Sequence, residues 1–491
     1  MFHLRNPLNP HASPLLMHLQ RTLRLATAIA FAAGTPALAQ SAGSAINIPV
    51  ERLTLPNGLE VVLAPDHTVP QVAVDVWYHV GSKNELTGRT GFAHMFEHVM
   101  FTGSGHVPYG MHDRLTEGVG GSNNGSTTND RTNYYEIVPS NYLESALWME
   151  SDRMGFLLDK LDDAKFKAQR DIVQNERRQG VDNQPYGRAF ELMDYALYPD
   201  SHPYSWPVVG YMADLQHATV DDVKNFFRLY YAPSNATLAI VGDFEPAQAK
   251  TFVRKYFGDL KGGARITRPT LKAPTLAAEK RITFEDRVQV PRLYLTWPSA
   301  GDDDEDAEPL QFLAQIISGP RTARLTKALV YDRQTAAAVQ AFNNDNENGG
   351  NFIISVTPRP NVTLTQLEAT TDSVLTTLKA DGPTQEEMDK AKAGLEFGFV
   401  SALQSNLGKA EILLDGQVFH GDADFYKKQY ARLKAVTASD VKRVANKYLV
   451  PGRAVLSIVP LGKPELASKA DASAKVTVAP DGGHYIAGNR Q

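Results

Sequence analysis

The pattern of apolar and polar positions occurs twice along the chain. Residues 219–241 (TVDDVKNFFRLYYAPSNATLAIV) align without gaps with residues 437–459 (TASDVKRVANKYLVPGRAVLSIV), and ten of the 23 positions are identical. In each copy a Thr suited to a helix N-cap precedes a helical apolar stripe, and a Pro turn and an alternating apolar run follow. The pattern therefore predicts two copies of one helix-and-strand unit.

The starts of the two halves match more loosely. VPQVAVDVWYHVGS, from residue 69, and VPRLYLTWPSAG, from residue 290, each predict a strand followed by a polar turn. We therefore expect two homologous α+β domains, at residues 46–262 and 278–463. Residues 263–277 lie in a stretch rich in Gly and Pro and are expected to link them.

The two ends of the chain differ from the halves between them. RTLRLATAIAFAAGTPALAQ, from residue 21, places two arginines before a short apolar run that ends in Ala37-Leu38-Ala39. This pattern is typical of a bacterial signal peptide, so we expect residues 1–39 to be cleaved off and the mature protein to be periplasmic. An uncleaved N-terminal anchor is the alternative. Residues 464–491 are mostly small and polar, and a flexible tail is expected there.

Composition narrows the class of protein. The 491 residues are 43% hydrophobic and 21% charged, which is typical of globular proteins. A net charge of −5 does not favour nucleic acid or an anionic membrane as partner. The chain has no cysteine, which excludes disulfides and Cys-ligated metals. No segment after the leader has the length and apolarity of a transmembrane span.

One predicted helix carries polar residues with the spacing of metal ligands. TGFAHMFEHVMFTG, from residue 90, contains His94, Glu97 and His98 in the order H-x-x-E-H, the reverse of the zinc-protease motif H-E-x-x-H. Positions i, i+3 and i+4 share one helix face, so both imidazoles can reach one ion with Glu97 beside it. The pattern predicts a catalytic zinc site in which Glu97 takes a proton from water on the metal. An ordinary solvent-exposed helix face is the alternative.

A third ligand has to come from elsewhere in the chain. The corresponding helix of the second half, AEPLQFLAQIISGP, contains no His, so the first half alone is expected to carry the chemistry. Periodicity selects none of the candidate ligands downstream, which are Glu136, Glu144, Glu150, Glu176 and Glu191.

Four segments in succession resemble one protein family. They are GRTGFAHMFEHVMFTGS, GGSNNGSTTNDRTNYYEIVP, QRDIVQNERRQGVDNQPYG and HPYSWPVVG. Together they resemble the pitrilysin/insulinase-like zinc metallopeptidases, the inverzincins, in particular bacterial relatives of the mitochondrial processing peptidase β subunit. The resemblance covers nearly all of the expected mature chain. It implies two homologous domains, each an antiparallel β-sheet with helices packed on it, that form a clamshell around a peptide chamber.

The resemblance also implies roles for single residues. His94, His98 and Glu176 match the ligands of one zinc ion, and Glu97 matches the general base. Asn124 matches an Asn on a strand edge where the substrate backbone adds as a β-strand. The implied activity is that of a zinc-dependent metalloendopeptidase acting on peptides or unstructured protein segments.

The chain departs from the family pattern at two places. Gln169 stands where many relatives have a second Glu, two helical turns before the ligand Glu. Val330 and Ala337 stand where single-chain relatives have an Arg and a Tyr that grip the substrate. We therefore expect a heterodimer with a related non-catalytic subunit that supplies this pair.

Two other functions stay open for this chain: a non-enzymatic subunit, and a zinc hydrolase with a non-peptide substrate.

Other polar features favour structural roles. The acidic run GDDDEDAE, from residue 301, predicts a solvated loop. NNDNENGGN, from residue 343, predicts a hairpin connection. Four histidines lack the spacing of metal ligands and are expected to be structural or on the surface: His79, His106, His112 and His202.

Overall fold

The computed structural model describes residues 46–264, 266–268, 271–480 and 482–487. The predicted signal peptide, residues 1–39, lies outside the described residues. The described residues from Ile48 onward belong to one compact unit that contains both halves of the chain. Among the helices of the described segments, none is both long enough and apolar enough to cross a bilayer.

The first half is a mixed sheet with helices. Its described strands are β1 (Glu51–Thr54), β2 (Glu60–Pro65), β3 (Gln71–Tyr78), β4 (Ser122–Thr127), β5 (Thr132–Pro139) and β6 (Ala236–Gly242). They pair in the order β1-β2-β6-β3-β5-β4. The helices are α1 (Phe92–Val99), α2 (Met111–Gly118), α3 (Leu143–Phe156), α4 (Asp163–Arg177), α5 (Ala189–Leu197), α6 (Met212–His217), α7 (Val220–Tyr230) and α8 (Pro246–Phe257).

The second half repeats this architecture. Its described strands are β7 (Lys280–Asp286), β8 (Arg292–Ser299), β9 (Ala336–Asn346), β10 (Gly349–Pro358), β11 (Ala454–Pro460), β12 (Ala474–Val478) and β13 (Tyr485–Ala487). They pair in the order β13-β12-β7-β11-β8-β10-β9. The helices are α9 (Ala307–Ser318), α10 (Leu364–Asp381), α11 (Gln385–Ala402), α12 (Asn406–His420), α13 (Phe425–Ala435) and α14 (Ala438–Tyr448).

The strand orders confirm the duplication. The order β2-β6-β3-β5-β4 in the first sheet corresponds strand by strand to β7-β11-β8-β10-β9 in the second. The sheets are not wholly antiparallel, because β2 pairs in parallel with β6 and β7 with β11. These pairs join the first and last strands of each copy, which helices separate in the chain, and such long connections permit parallel pairing.

The repeated segments begin with the same helix cap. The Thr219 hydroxyl accepts a hydrogen bond from the Asp222 amide, and the Asp222 carboxylate accepts one from the Thr219 amide. Thr437 and Asp440 make the same reciprocal pair in the second half. Each pair satisfies two donors that a helix end leaves free, which explains why α7 and α14 begin at equivalent positions.

Each half also places one helix on the sheet of the other half. Helix α12 packs against β3 and β6 of the first sheet, and α5 packs against β8 and β11 of the second. The α5 side chains Leu192 and Met193 are fully buried in one apolar cluster with Leu456 and Ile458 of β11. The two sheets are therefore held together by buried apolar surface as well as by the linker.

The C-terminal segment differs from the expected flexible tail. Strand β12 pairs in parallel with β7, and β13 pairs with β12, so both extend the second sheet. Val476 and Tyr485 are buried, at 1% and 4% exposure. Small and polar composition misled the prediction because two apolar side chains in register suffice to attach a short strand to an existing sheet edge.

The polar loops of the second half agree only partly with the predictions. The predicted hairpin is present, with β9 and β10 joined at Glu347 and Asn348. The acidic run is not wholly solvated, since Asp306 is fully buried and pairs with Arg443 and Lys447 of α14. These cations come from a distant part of the chain, so local sequence could not reveal the pairing.

We expect Thr437→Ala to lower the free energy of unfolding by about 1 kcal/mol, because the first turn of α14 loses its cap. Urea denaturation followed by circular dichroism measures the effect. Thr376→Ala is the matched control: Thr376 is exposed within α10, where its hydroxyl donates to the Asp372 carbonyl. Ala suits such a position, so the control should not be destabilised. Equal losses in both variants would contradict the role of the cap.

Candidate metal centre

Helix α1 leaves the motif H-x-x-E-H partly exposed, because its apolar stripe faces the core instead. Phe92, Met95, Phe96 and Val99 lie in the core of the first half. Gly91 caps the helix with φ +86°, and a Cβ there would lie 2.8 Å from the Val209 carbonyl oxygen. Close packing against the residues before α6 thus fixes where α1 begins.

Helix α4 brings Glu176 to the two histidines. Its Oε2 lies 3.1 Å from His98 Nε2 and 3.7 Å from His94 Nε2. The two imidazole rings meet edge to face, with centroids 4.9 Å apart. Ligand atoms of a tetrahedral zinc ion are about 3.3 Å from one another, which follows from zinc–ligand distances near 2.0–2.1 Å. The three side chains therefore fit one zinc ion.

The protonation states suit metal binding. Burial lowers the pKa of His94, which favours the neutral imidazole that ligates metals. For Glu176, burial raises the pKa, but contact with His98 and the positive charge of either imidazole when it is protonated outweigh burial, so the pKa is lowered and the carboxylate is favoured. Within the described part of the chain, Glu176 Oε2 is buried without a hydrogen-bond partner. A bound cation would satisfy that oxygen.

Glu97 lies on the same helix face, next to strand β4. The Thr127 hydroxyl donates a hydrogen bond of 2.7 Å to Glu97 Oε2. Gly125 makes room for the side chain, since a Cβ there would come 3.0 Å from Glu97 Cγ. The carboxylate is thus oriented by β4.

Asn124 lies on β4, which ends the pairing order of the first sheet. Its partner across β5 is Tyr135, and its Oδ1 accepts a hydrogen bond from the Gly125 amide. The predicted position on a sheet edge beside the motif is therefore present. Its contact with a substrate stays a prediction.

The other candidate glutamates lie away from the two histidines. Glu144 is exposed and pairs with Lys255, and Glu191 pairs with Arg177. Glu136 and Glu150 instead join His112, and ligand atoms of these three lie within 4.8 Å of one another.

A cation already occupies the His112 cluster. The Arg153 guanidinium is fully buried, forms an ion pair with Glu150 and lies 3.8 Å from Glu136. His112 Nδ1 lies 2.9 Å from Glu136 Oε1, and burial lowers the pKa of His112 to about 3. Arg153 therefore balances the carboxylate charge without a metal, and His112 has the structural role predicted for it.

The other three predicted structural histidines also have side-chain or backbone partners. His79 contacts Glu347 of the second half, and His106 contacts Asp152. His202 contacts the carbonyl of Lys272.

The structure places the three positions at which the chain departs from the family pattern on α4 and in the second half. Gln169 lies on α4 two turns before Glu176. Val330 is partly buried against the core of the second half, and Ala337 is exposed on the edge strand β9.

A cavity of about 630 Å³ is lined by both halves of the chain. Thr128 lines this cavity, and it follows Thr127, whose hydroxyl donates to Glu97. Its charged lining is mostly acidic: Asp130, Arg131, Asp302, Glu308, Asp345, Glu347 and Asp415. Burial and neighbouring carboxylates raise the pKa of Asp302 to about 7 and that of Asp415 to about 6. The resemblance implied a chamber, but sequence reasoning missed its acidic lining because the acids come from distant segments.

Comparison with known families gives two matches. Residues 60–202 match the family described as insulinase, peptidase family M16. Residues 217–395 match the domain described as the peptidase M16 inactive domain.

Similar proteins extend over most of the chain. A Helicobacter pylori protein named zinc protease PqqE is 32% identical over 405 residues, which are 81% of this chain and 90% of that protein. An Arabidopsis thaliana protein named probable mitochondrial-processing peptidase subunit beta is 23% identical over 82% of this chain and 77% of its own length. The crystal structure of a Helicobacter pylori protease superimposes with a TM-score of 0.79 at 29% identity, covering 84% of this chain and all of that one.

We expect Arg153→Met to lower the free energy of unfolding by about 3 kcal/mol or more, because it leaves Glu136 and Glu150 buried without a cation. Burial raises the pKa of Glu150 to about 8 and also raises that of Glu136. The loss should therefore be largest above about pH 8 and shrink as the pH is lowered, since protonation of the carboxyls removes the unpaired charge. Urea denaturation at several pH values measures this.

Lys255→Met is the control. Lys255 is an exposed cation on α8 that pairs with Glu144, which lies on α3 like Arg153. The substitution should have little effect on stability. If Arg153→Met were as stable as this control at neutral pH, the buried cation would not be needed.

Proposed function

On the premise that the chain belongs to the insulinase family of peptidases, peptidase family M16, we propose that it is a zinc metalloendopeptidase. Its substrates are peptides or unstructured protein segments. The observation that carries the proposal is the Glu176 carboxylate within 3.7 Å of both motif imidazoles, with Glu97 beside them. The similarity to proteins named zinc proteases supports it.

One zinc ion would be held by His94, His98 and Glu176, whose donor set of two nitrogens and one oxygen is typical of catalytic zinc. Bound zinc supplies a Lewis acid that polarises the scissile carbonyl and makes water more acidic. The three side chains are 12–21% exposed, so one side of the site is open to a substrate.

Glu97 is the proposed general base. The Thr127 hydroxyl donates to Oε2 and fixes the carboxylate, so it can accept a proton from the attacking water. The same group then gives the proton to the leaving amine. Gly125 has no side chain to crowd the Glu97 side chain.

The substrate would bind along the edge of β4. An extended peptide that pairs there gains main-chain hydrogen bonds, and its carbonyl passes close to α1, which contacts β4. Asn124 would hold the peptide at this edge. The acidic cavity then receives substrate side chains beyond the scissile bond.

We further infer that a related, non-catalytic subunit completes the site. Val330 and Ala337 offer a substrate no cation and no hydroxyl at the positions where single-chain relatives are expected to have an Arg and a Tyr. The match of residues 217–395 to a domain described as inactive supports a non-catalytic second half. Export to the periplasm is inferred from the leader pattern of residues 1–39.

We expect Glu97→Gln to bind zinc like the wild type but to lose about 100- to 10,000-fold in cleavage rate, because the amide cannot take a proton. A quenched peptide library that includes basic sequences measures cleavage, since the cavity is acidic. Elemental analysis measures bound zinc.

Glu144→Gln, which changes an exposed Glu on α3, is the control and should match the wild type. Cleavage by Glu97→Gln at the wild-type rate would refute the assigned base. A wild-type chain that binds zinc but cleaves no peptide, with or without a partner, would favour a non-enzymatic subunit or a non-peptide substrate.

The partner proposal predicts a rate increase on mixing. A related chain with Arg and Tyr at the positions of Val330 and Ala337 should raise kcat/KM by up to about 100-fold, because it positions the substrate. The same partner with both residues changed to Ala is the control, and size-exclusion chromatography confirms that either complex forms. Full activity of the isolated chain would show that no partner is needed.

A further inference from the structure

The residue after the third candidate ligand is a buried arginine that holds three segments together. Arg177 ends α4 and is 2% exposed. Its Nη1 and Nη2 donate to the two carboxylate oxygens of Glu191, over 2.8 and 3.1 Å. Nη1 also donates to the Gly210 carbonyl, over 2.8 Å. Such a bidentate pair fixes a guanidinium in both position and plane.

These contacts connect the two helices of the metal centre. Gly210 packs on the start of α1, since a Cβ on it would lie 2.5 Å from Gly91 Cα. Arg177 therefore joins the end of α4 to the residue that caps α1. Beyond Arg177 the helix changes to a π-helical turn over Arg178–Asp182, so the regular α-helical pattern ends within two residues of the ligand. The side-chain contacts of Arg177 thus set the position of this helix end.

The C-terminal strand β13 completes this arrangement. The Tyr485 hydroxyl donates a hydrogen bond of 2.5 Å to Glu191 Oε2, the oxygen that also accepts from Arg177 Nη2. The Tyr485 ring is 4% exposed and packs against Tyr195 of α5 and Phe284 of β7. Burial raises the pKa of Tyr485, so its hydroxyl stays protonated and remains a donor.

We propose that Tyr485 is a positioning residue for the metal centre, acting through Glu191 and Arg177 on the carboxylate of Glu176. The inference rests on the proposed zinc site. Without the Tyr485 hydrogen bond, Glu191 can turn away from Arg177, and the end of α4 gains freedom. Part of the free energy of zinc binding is then used to order Glu176, so the affinity for zinc falls.

The decisive measurement is the zinc dissociation constant of Tyr485→Phe, determined by competition with a chromophoric chelator. Outer partners of metal ligands contribute about 10- to 100-fold in affinity, and Tyr485 acts through two residues, so we expect a loss of about 3- to 10-fold. Tyr198→Phe is the matched control: Tyr198 is also 4% exposed, lies in the same apolar cluster, and its ring packs against His202 and Tyr204. It should keep wild-type zinc affinity.

Two further readouts separate positioning from general stability. Thermal unfolding of the zinc-free forms should be similar for Tyr485→Phe and Tyr198→Phe. Arg177→Lys, which keeps the charge but loses the bidentate contact, should weaken zinc binding further. Adding Tyr485→Phe to it should then have no additional effect, because both changes interrupt one chain of contacts.

The outcomes distinguish the two proposals. Equal zinc affinity in Tyr485→Phe and wild type, or additive losses in the double variant, would overturn the positioning role and leave the zinc site standing. A wild-type chain that binds no zinc would overturn the proposed function itself.

Discussion

The candidate site depends on holding the end of α4 against α1. His94 and His98 lie on one helix, but Glu176 lies on another, and only side-chain and packing contacts keep the two aligned. The Arg177 guanidinium, bound by Glu191 and by the Gly210 carbonyl, supplies the polar part of that constraint. The close approach of Gly210 to Gly91 supplies the steric part. A metal ion that binds here finds the three side chains already close together.

The duplicated fold lets the two halves of the chain take different roles. Both halves use the same strand order, and each places a helix on the other sheet, so neither sheet is covered by its own half alone. The first half has the histidines on α1, while the equivalent α9 is apolar and largely buried. The second half thus serves as the wall of a cavity, to which it contributes acids such as Asp302 and Asp415.

Local patterns predicted much of the fold, and long-range contacts account for the differences. The caps at Thr219 and Thr437 and the one-faced motif on α1 depend on residues within one turn, so sequence spacing reveals them. The choice of Glu176 among five glutamates came only from resemblance, because the approach of α4 to α1 leaves no periodic signal. The cations that pair with Asp306, and the carboxylate that accepts from Tyr485, lie more than 130 residues away in the chain, beyond the reach of any local pattern.

The central claim is that His94, His98 and Glu176 together bind one zinc ion. Anomalous diffraction at the zinc absorption edge, from crystals grown with zinc, tests it most directly because it locates the ion among the candidate ligands. We predict one strong anomalous peak per chain, between the two imidazoles and the Glu176 carboxylate. A peak at His112, Glu136 and Glu150 instead, or a zinc ion bound without Glu176, would contradict the account.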